Sequence, residues 1–110
     1  MSVDYRAKLI FGYKITEEQR DYIEEHYDIV QEARAKYVCA IDTWCVMEHS
    51  YFFGVQLASL DLEYDEYAGP IYAFTAFTVF TNALNEILNK LHLRLDCSYP
   101  HNYLINAVSY

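Results

Sequence analysis

The stretch that decides the fold lies near the start of the chain and reads Tyr5-Arg6-Ala7-Lys8-Leu9-Ile10-Phe11-Gly12-Tyr13-Lys14. Alternate positions carry the apolar side chains Ala7, Leu9, Phe11 and Tyr13, and the positions between them are mostly basic or small. Successive side chains of a β-strand point to opposite faces of a sheet. This period of two predicts a strand over residues 5–14 with one buried face.

A helix is predicted to follow this strand. Thr16 suits the N-cap position, because its hydroxyl can accept a backbone hydrogen bond while Gln19, three residues on, returns one to the cap residue. The helix is predicted to begin at Glu17. Its apolar side chains keep helical spacing to about residue 36, with room for a break near Asp28. They are Tyr22, Ile23, His26, Val30 and Ala33.

The rest of the chain completes an alternating pattern. Residues 37–44 and 51–60 are rich in β-branched and aromatic side chains and predict two strands, joined by a loop over 47–50. Gly69-Pro70 suits a helix start, and residues 71–92 predict a second helix. Residues 103–108 predict a last short strand. The resulting β-α-β-β-α-β order predicts a small α+β domain of ferredoxin-like type, a mostly antiparallel sheet with two helices on one face.

Composition restricts the classes of function. The 110 residues match one domain, so we treat residues 1–110 as a single globular unit. Sixteen acidic residues against eight basic ones leave a formal net charge of −8. This charge repels phosphates and anionic lipids, so we expect neither direct nucleic-acid binding nor a membrane partner. The longest uncharged stretch, 68–85, is short and polar for a spanning helix.

The cellular setting is predicted from the chain start and the cysteines. The first residues lack a basic segment followed by an apolar one, so we expect no secretory signal and a cytoplasmic protein. Three cysteines, Cys39, Cys45 and Cys97, fit reduced thiols in a reducing compartment.

Two arrangements of cysteine and histidine could carry chemistry. Cys45 with His49 and Cys97 with His101 repeat one spacing and offer zinc ligands, although core cysteines with surface histidines are the favoured explanation. A thiol nucleophile would pair Cys45 or Cys39 with His49 and use Asp42 to orient the base. Motifs for nucleotide binding, hydrolysis and redox chemistry are absent. We therefore predict no catalytic residue, no metal and no cofactor.

Acidic side chains predict the partner-binding surface. Five carboxylates of the first predicted helix fall on one side at helical spacing, and a second acidic run carries two tyrosines, a residue type enriched at interfaces. A plain solvated face would also explain the helical row. The predicted binding residues are Glu17, Asp21, Glu24, Asp28 and Glu32, followed by Asp61, Glu63, Tyr64, Asp65, Glu66 and Tyr67.

The second predicted helix has an apolar arc around Phe74, Phe77 and Phe80 that is wide for one sheet face. Two explanations stay open. The helix is central to the fold, or part of the arc meets a second copy of the chain. On the second explanation we expect a homodimer.

Two short segments stand out, Phe11-Gly12-Tyr13-Lys14-Ile15-Thr16-Glu17-Glu18-Gln19 and Tyr51-Phe52-Phe53-Gly54. They resemble segments of small uncharacterised proteins of bacteriophages and mobile elements of Gram-positive bacteria. Such proteins include inhibitors of host defence, some acting as acidic mimics of nucleic acid on a basic enzyme groove. The resemblance implies an inhibitor or adaptor rather than an enzyme, and it assigns no functional residue.

These observations predict a non-enzymatic binding or inhibitor protein. Its acidic, tyrosine-bearing surface would engage a basic protein surface, for example that of a host enzyme of defence that processes nucleic acid. Two alternatives remain: a small metal- or thiol-dependent enzyme that uses the cysteines and histidines, and a homo-oligomeric structural protein.

Overall fold

The computed structural model describes residues 4–46, 50–61, 66–68 and 75–109. Within these ranges the chain forms five strands and three helices, an α+β fold as predicted. In chain order they are β1 (Asp4–Ile15), α1 (Glu17–Glu25), α2 (Tyr27–Tyr37), β2 (Ile41–Val46), β3 (Ser50–Asp61), β4 (Glu66–Ala68), α3 (Ala76–Leu91) and β5 (His101–Ser109).

The strands form one antiparallel sheet. β1 lies between β3 and β5, and the other edge of β3 pairs with β2 near its start and with the short β4 near its end. The order β5-β1-β3-β2 is the ferredoxin-like order that the sequence predicted. It places the first strand of the chain in the middle of the sheet.

One face of the sheet forms the main core with all three helices. The alternate β1 side chains Leu9, Phe11, Tyr13 and Ile15 belong to this cluster, as the period of two predicted. The helices contribute an apolar stripe whose buried members are Ile23, Val30, Ala33, Phe80, Ala83, Leu84, Ile87 and Leu91. Burying one large aliphatic or aromatic side chain contributes about 1.5–3 kcal/mol, so this stripe is a main source of stability.

The predicted first helix is two helices. Thr16 and Gln19 form the predicted capping box, with Gln19 N–H donating to Thr16 Oγ1 over 3.1 Å and Thr16 N–H donating to Gln19 Oε1 over 2.9 Å. The break falls at His26, two residues before the predicted one, where the backbone has φ −115° and ψ 36°. The Nδ1 atom of His26 lies 2.9 Å from the carbonyl oxygen of Tyr22.

Two boundaries differ from the prediction. The strand predicted from residue 37 begins at Ile41, because α2 continues to Tyr37 and ends in the left-handed conformation of Val38 (φ 51°). Side-chain contacts outweigh strand propensity here, since Tyr37 packs against the main core and its hydroxyl donates to Glu86 over 3.4 Å. The predicted second helix begins at Ala76 within the described residues, and positions 71–74 lie outside them.

The second face of the sheet also holds a buried cluster, which the period-two prediction of one buried face missed. Ile10, Phe52 and Ile105 are 0–7% exposed, with Trp44, Val46 and Tyr103 packed around them. No helix contributes to this cluster in the described part of the chain. The sheet curls until Val46 of β2 pairs with Ala107 of β5, so β1, β3, β2 and β5 form a closed ring of pairings.

Two glycines allow strands β1 and β3 to approach closely at the centre of this curl. Gly12 faces Gly54 in the register of the two strands. A Cβ added to Gly12 would lie 2.5 Å from the Cα of Gly54, and closer still to the carbonyl oxygen of Phe53. No real side chain fits at that distance, so the pair is required by packing.

Candidate binding surfaces

The acidic row predicted on the first helix is exposed along its whole length. Glu17, Asp21 and Glu24 lie on α1 and Asp28 and Glu32 on α2, and all five side chains are exposed. The row is not one straight line of carboxylates, because the helix breaks at His26 between its third and fourth members. It is therefore a two-part acidic surface.

Basic side chains neutralise part of this surface. Arg20 Nε lies 2.9 Å from Asp21 Oδ1 and 3.8 Å from Glu24 Oε2, and its guanidinium covers the ring of Tyr51 at 4.6 Å. Lys90 of α3 lies 3.6 Å from Glu32. Exposed ion pairs of this kind stabilise a protein by about 0–1 kcal/mol. They leave the carboxylates accessible while lowering the local charge.

Glu17 and Asp28 are the members of the row without an ion pair to another described residue. Glu17 lies in the first turn of α1 and Asp28 in the first turn of α2, where a negative charge complements the helix dipole. Both carboxylates therefore have a structural role, and no cation among the described residues pairs with them.

The second acidic run lies at the far end of β3. Asp61 is the last residue of β3 and pairs in register with Glu66, the first residue of β4, while Tyr67 pairs with Leu60. No strand was predicted in this run, so β4 is an addition to the predicted fold. Glu63, Tyr64 and Asp65 lie outside the described residues.

The cysteines and histidines do not form a metal-binding group within the described ranges. Cys45 is exposed, and its thiol lies 3.4 Å from the carbonyl oxygen of Val46. Cys97 is half-buried with its Sγ 3.0 Å from the carbonyl oxygen of Tyr99, and His101 is exposed at the start of β5. His49, the predicted partner of Cys45, lies outside the described residues.

A cleft of about 760 Å³ lies where α3 meets the loop before β5. Tyr13, Asn85, Arg94, Asp96 and Cys97 are among its lining residues, and none of the described lining residues is a histidine. Burial, and to a smaller degree the nearby Cys97 sulfur, raise the pKa of the Tyr13 phenol. The cleft brings a thiol next to polar groups, but its described lining contains no imidazole to act as a base.

The described residues of the apolar arc of α3 pack mostly against other parts of the same chain. Phe80 is buried, and Phe77 makes an edge-to-face contact with Phe11 at 5.0 Å between ring centroids. Phe74 lies outside the described residues. Phe77 and Phe80 of the arc thus pack within the chain, and the homodimer stays a prediction. Among the helices of the described ranges, none is both long and apolar enough to cross a bilayer.

The cluster on the second face of the sheet is the feature that the sequence-based prediction missed. The available signal was Ile10, which interrupts the polar side of β1. Comparisons of this chain with protein-family models, with curated proteins and with solved structures found no match.

Proposed function

We propose that this chain is a non-enzymatic binding protein that engages a basic protein surface through the exposed carboxylates of α1 and α2. Residues 17–37 contain seven acidic side chains against three basic ones. Of those three, Lys36 is directed to Glu86 of α3 and Arg34 to the hydroxyl of Tyr27. Arg20 alone of the three pairs with the acidic row, and this imbalance is the observation that carries the proposal.

The excess of acidic side chains and their distribution favour a protein partner over a metal or a nucleic acid. An acidic surface repels phosphates, whereas it attracts Lys- and Arg-lined surfaces and speeds the encounter with them. The carboxylates of α1 and α2 are spread along two helices rather than gathered around one point. Such a distribution suits several cations on a broad partner surface.

The finer proposal concerns the kind of partner. The resemblance in residues 11–19 and 51–54 to phage and mobile-element proteins favours a cytoplasmic inhibitor. Its target would be a host enzyme whose basic groove binds nucleic acid, and the acidic helices would occupy that groove in place of phosphates. The run from Asp61 to Tyr67 would offer a second acidic contact, separate from the row.

The thiol-enzyme alternative has less support. Cys97 lies in the cleft with Tyr13 and Arg94, and the described lining residues include no histidine. The pKa of the Cys39 thiol is raised by burial, which lowers its reactivity. His49, the base predicted for Cys39 or Cys45, lies outside the described residues.

The test reverses charge within the row and at a matched pair of sites outside it. The row variant is Glu17→Lys with Asp28→Lys, because these two carboxylates have no ion pair with another described residue. The control variant is Asp42→Lys with Asp96→Lys, two acids outside α1 and α2. Both variants change the net charge equally. Glu86 is unsuitable as a control because it pairs with Lys36.

Wild-type chain and both variants serve as immobilised baits for a lysate of Gram-positive bacteria, and captured proteins are eluted with rising NaCl. We expect basic, nucleic-acid-binding proteins on the wild type and the control, eluting as salt screens charges over about 8–10 Å. The row variant should lose them. Equal capture by all three baits, or elution that ignores salt, would show that the row is only a solvated surface.

A further inference from the structure

The cleft between α3 and the loop before β5 is lined by two parts of the chain. α3 contributes Asn85, Leu88 and Asn89, which share one face of the helix because residues three and four apart are neighbours there. At the end of α3 the chain turns at His92, whose backbone is left-handed (φ 53°), and residues 93–98 form the other part of the lining. The volume of about 760 Å³ lies within the range of about 300–1,000 Å³ that is typical of small-molecule sites.

A buried tyrosine hydroxyl opens into this cleft. Tyr13 of β1 is 2% exposed and belongs to the main core, yet its side chain lines the cleft. Its hydroxyl makes no hydrogen bond to another described residue, whereas the hydroxyls of Tyr22 and Tyr37 each donate to an oxygen of α3. Among the described residues no unpaired polar side-chain atom is sealed from solvent, so the Tyr13 oxygen faces the cleft. Buried polar groups are normally hydrogen-bonded, and a molecule in the cleft can supply this bond.

The described lining of the cleft carries no net charge. Arg94 and Asp96 are its two charged side chains, and their charges cancel in sum. An uncharged ligand also avoids the repulsion that a formal net charge of −8 exerts on phosphates. The cleft therefore suits a polar molecule without net charge. The uncharged polar lining residues are Tyr13, Asn85, Asn89, Cys97 and Ser98.

The α3 side of the cleft has the groups that recognise a flat heterocycle. A side-chain amide presents a donor and an acceptor next to each other in one plane, which matches the edge of a nucleobase. Asn85 and Asn89 are exposed, and neither side chain is hydrogen-bonded to another described residue. Leu88 on the same helix face is half-buried, as are Leu93 and Leu95 in the other part of the lining. The amides suit the polar edge of a base, and the leucines suit its apolar faces.

We propose that the cleft binds an uncharged nucleoside, with the base edge hydrogen-bonded by the amides of Asn85 and Asn89 and the Tyr13 hydroxyl donating to a polar atom of the ligand. Burial raises the pKa of the Tyr13 phenol, so the hydroxyl keeps its proton at neutral pH. A nucleoside presents a base edge without the phosphate charges that an acidic chain repels. None of the lining residues belongs to the acidic row, and this inference does not rest on the partner binding proposed above.

Cys97 provides a reporter of ligand binding inside the cleft. It lines the cleft, and its sulfur lies close enough to Tyr13 to influence the pKa of the phenol. A bound nucleoside should therefore slow the reaction of Cys97 with a thiol reagent. Cys45 is exposed and outside the cleft lining, so its reaction rate is the internal control.

The first test needs no variant. The purified chain is treated with iodoacetamide at rising concentrations of adenosine, guanosine, cytidine or uridine, and peptide mapping gives the rate at each cysteine. D-ribose is the matched control, because it carries sugar hydroxyls without a base. We expect at least one nucleoside to slow Cys97 in a saturable way, with no effect on Cys45 and none from ribose. Absence of protection by all four nucleosides, or equal protection by ribose, would overturn the proposal.

Three variants test the residues that contact the ligand. Asn85→Asp and Asn89→Asp keep the side-chain size but remove the amide donor, and Tyr13→Phe removes the hydroxyl alone. The nucleoside concentration that gives half-maximal protection of Cys97 should rise about two- to tenfold in each, the effect of losing one hydrogen bond. Asn82→Asp is the matched control, because Asn82 is an exposed asparagine of α3 outside the cleft lining. Unchanged values in all three variants, or an equal rise in Asn82→Asp, would contradict the assigned contacts.

Thermal unfolding covers the case in which a change at buried Tyr13 disturbs the fold. Without nucleoside, Tyr13→Phe should unfold close to the wild-type temperature, because the hydroxyl has no described partner to lose. The nucleoside that protects Cys97 should raise the unfolding temperature of the wild type, since a ligand that binds the folded state stabilises it. The rise should be smaller in Tyr13→Phe. An equal rise in both would show that the hydroxyl does not contact the ligand.

Discussion

Lys36 at the end of α2 and Glu86 in the middle of α3 form an ion pair in which Lys36 Nζ donates to Glu86 Oε1 over 2.5 Å. The Tyr37 hydroxyl and Lys90 also approach this carboxylate, at 3.4 Å and 3.9 Å. The hydrogen bond from Lys36 is the largest cause of a lowered Glu86 pKa, and the bond to Glu86 is the largest cause of a raised Lys36 pKa. The pair joins α2 to α3 through two residues that are 50 positions apart in the sequence.

The stability contributed by this pair should depend on pH. Because the folded-state pKa of Glu86 is lowered, its contribution is present above the unfolded pKa and is lost as pH falls through the folded value. We expect Glu86→Gln to be less stable than wild type at pH 7. The difference should shrink on acidification below pH 4.5, the ordinary pKa of the carboxyl. Urea unfolding across this range measures it.

The contribution of Lys36 to stability depends on pH in the opposite direction. The folded-state pKa of Lys36 is raised, so its contribution is complete below the unfolded pKa and is lost as pH rises through the folded value.

Asp96→Asn is the control for Glu86→Gln, since Asp96 is exposed and outside these contacts. A Glu86→Gln difference that stays constant from pH 7 to acid would show that the pair does not carry the pH dependence.

Truncating a buried side chain in the second cluster should destabilise the protein as much as truncating one in the main core. Ile10 is fully buried although no described helix covers its face of the sheet. We expect Ile10→Ala to reduce the free energy of unfolding by about 2–5 kcal/mol, the range for removing a buried isoleucine side chain. Ile87→Ala in the main core is the comparison and Val79→Ala the exposed control. Chemical denaturation measures all three. A cost for Ile10→Ala near that of Val79→Ala would mean that the curled face is open in solution.

Adding a methyl group at Gly12 or Gly54 should destabilise the protein. Gly12→Ala and Gly54→Ala would each drive a Cβ into the backbone of the facing strand. Overpacking typically costs about 1–3 kcal/mol, and backbone atoms cannot rotate away as a side chain would. We expect both variants at or beyond the upper end of that range, measured by thermal unfolding. Ser59→Ala, elsewhere on β3, should change stability little. Normal stability of Gly12→Ala would contradict the close approach of β1 and β3.

The three thiols should react in order of exposure. Cys45 is exposed, Cys39 and Cys97 are half-buried, and burial raises the pKa of Cys39. The thiolate is the reactive species, so we expect Cys45 to be modified first by a thiol reagent in the native protein at mildly alkaline pH. Peptide mapping by mass spectrometry identifies the site. Modification of Cys39 before Cys45 would be inconsistent with the observed burial.

Much of the architecture is readable from local pattern. The alternation in residues 5–14, the capping box of Thr16 and Gln19, and the apolar spacing of α3 each act within a few residues of chain. Such features have the same physical cause in any context, since backbone geometry sets the period and the cap satisfies nearby N–H groups. The five carboxylates of the acidic row are also visible in the sequence. Their exposure follows from lying opposite the stripe of Ile23, Val30 and Ala33.

Other features depend on residues that are far apart in the chain. Strand propensity favoured a strand from residue 37, yet contacts with α3 keep Tyr37 helical. The helix break at His26 divides the acidic row, and Lys90 reaches one member of it from another helix. In each case a weak local preference is opposed by contacts between distant residues. The local sequence pattern shows the preference but not the contacts.

The curl of the sheet also depends on contacts between distant residues. In the sequence, Ile10 is an apolar residue on the polar side of β1; in the structure it packs with Phe52 of β3 and Ile105 of β5 on the second face. Gly12 lies next to Gly54 only through the β1–β3 register, and Val46 meets Ala107 only because the twisted sheet turns back on itself. Twist accumulates from strand to strand, so its effect appears where strands distant in sequence come together.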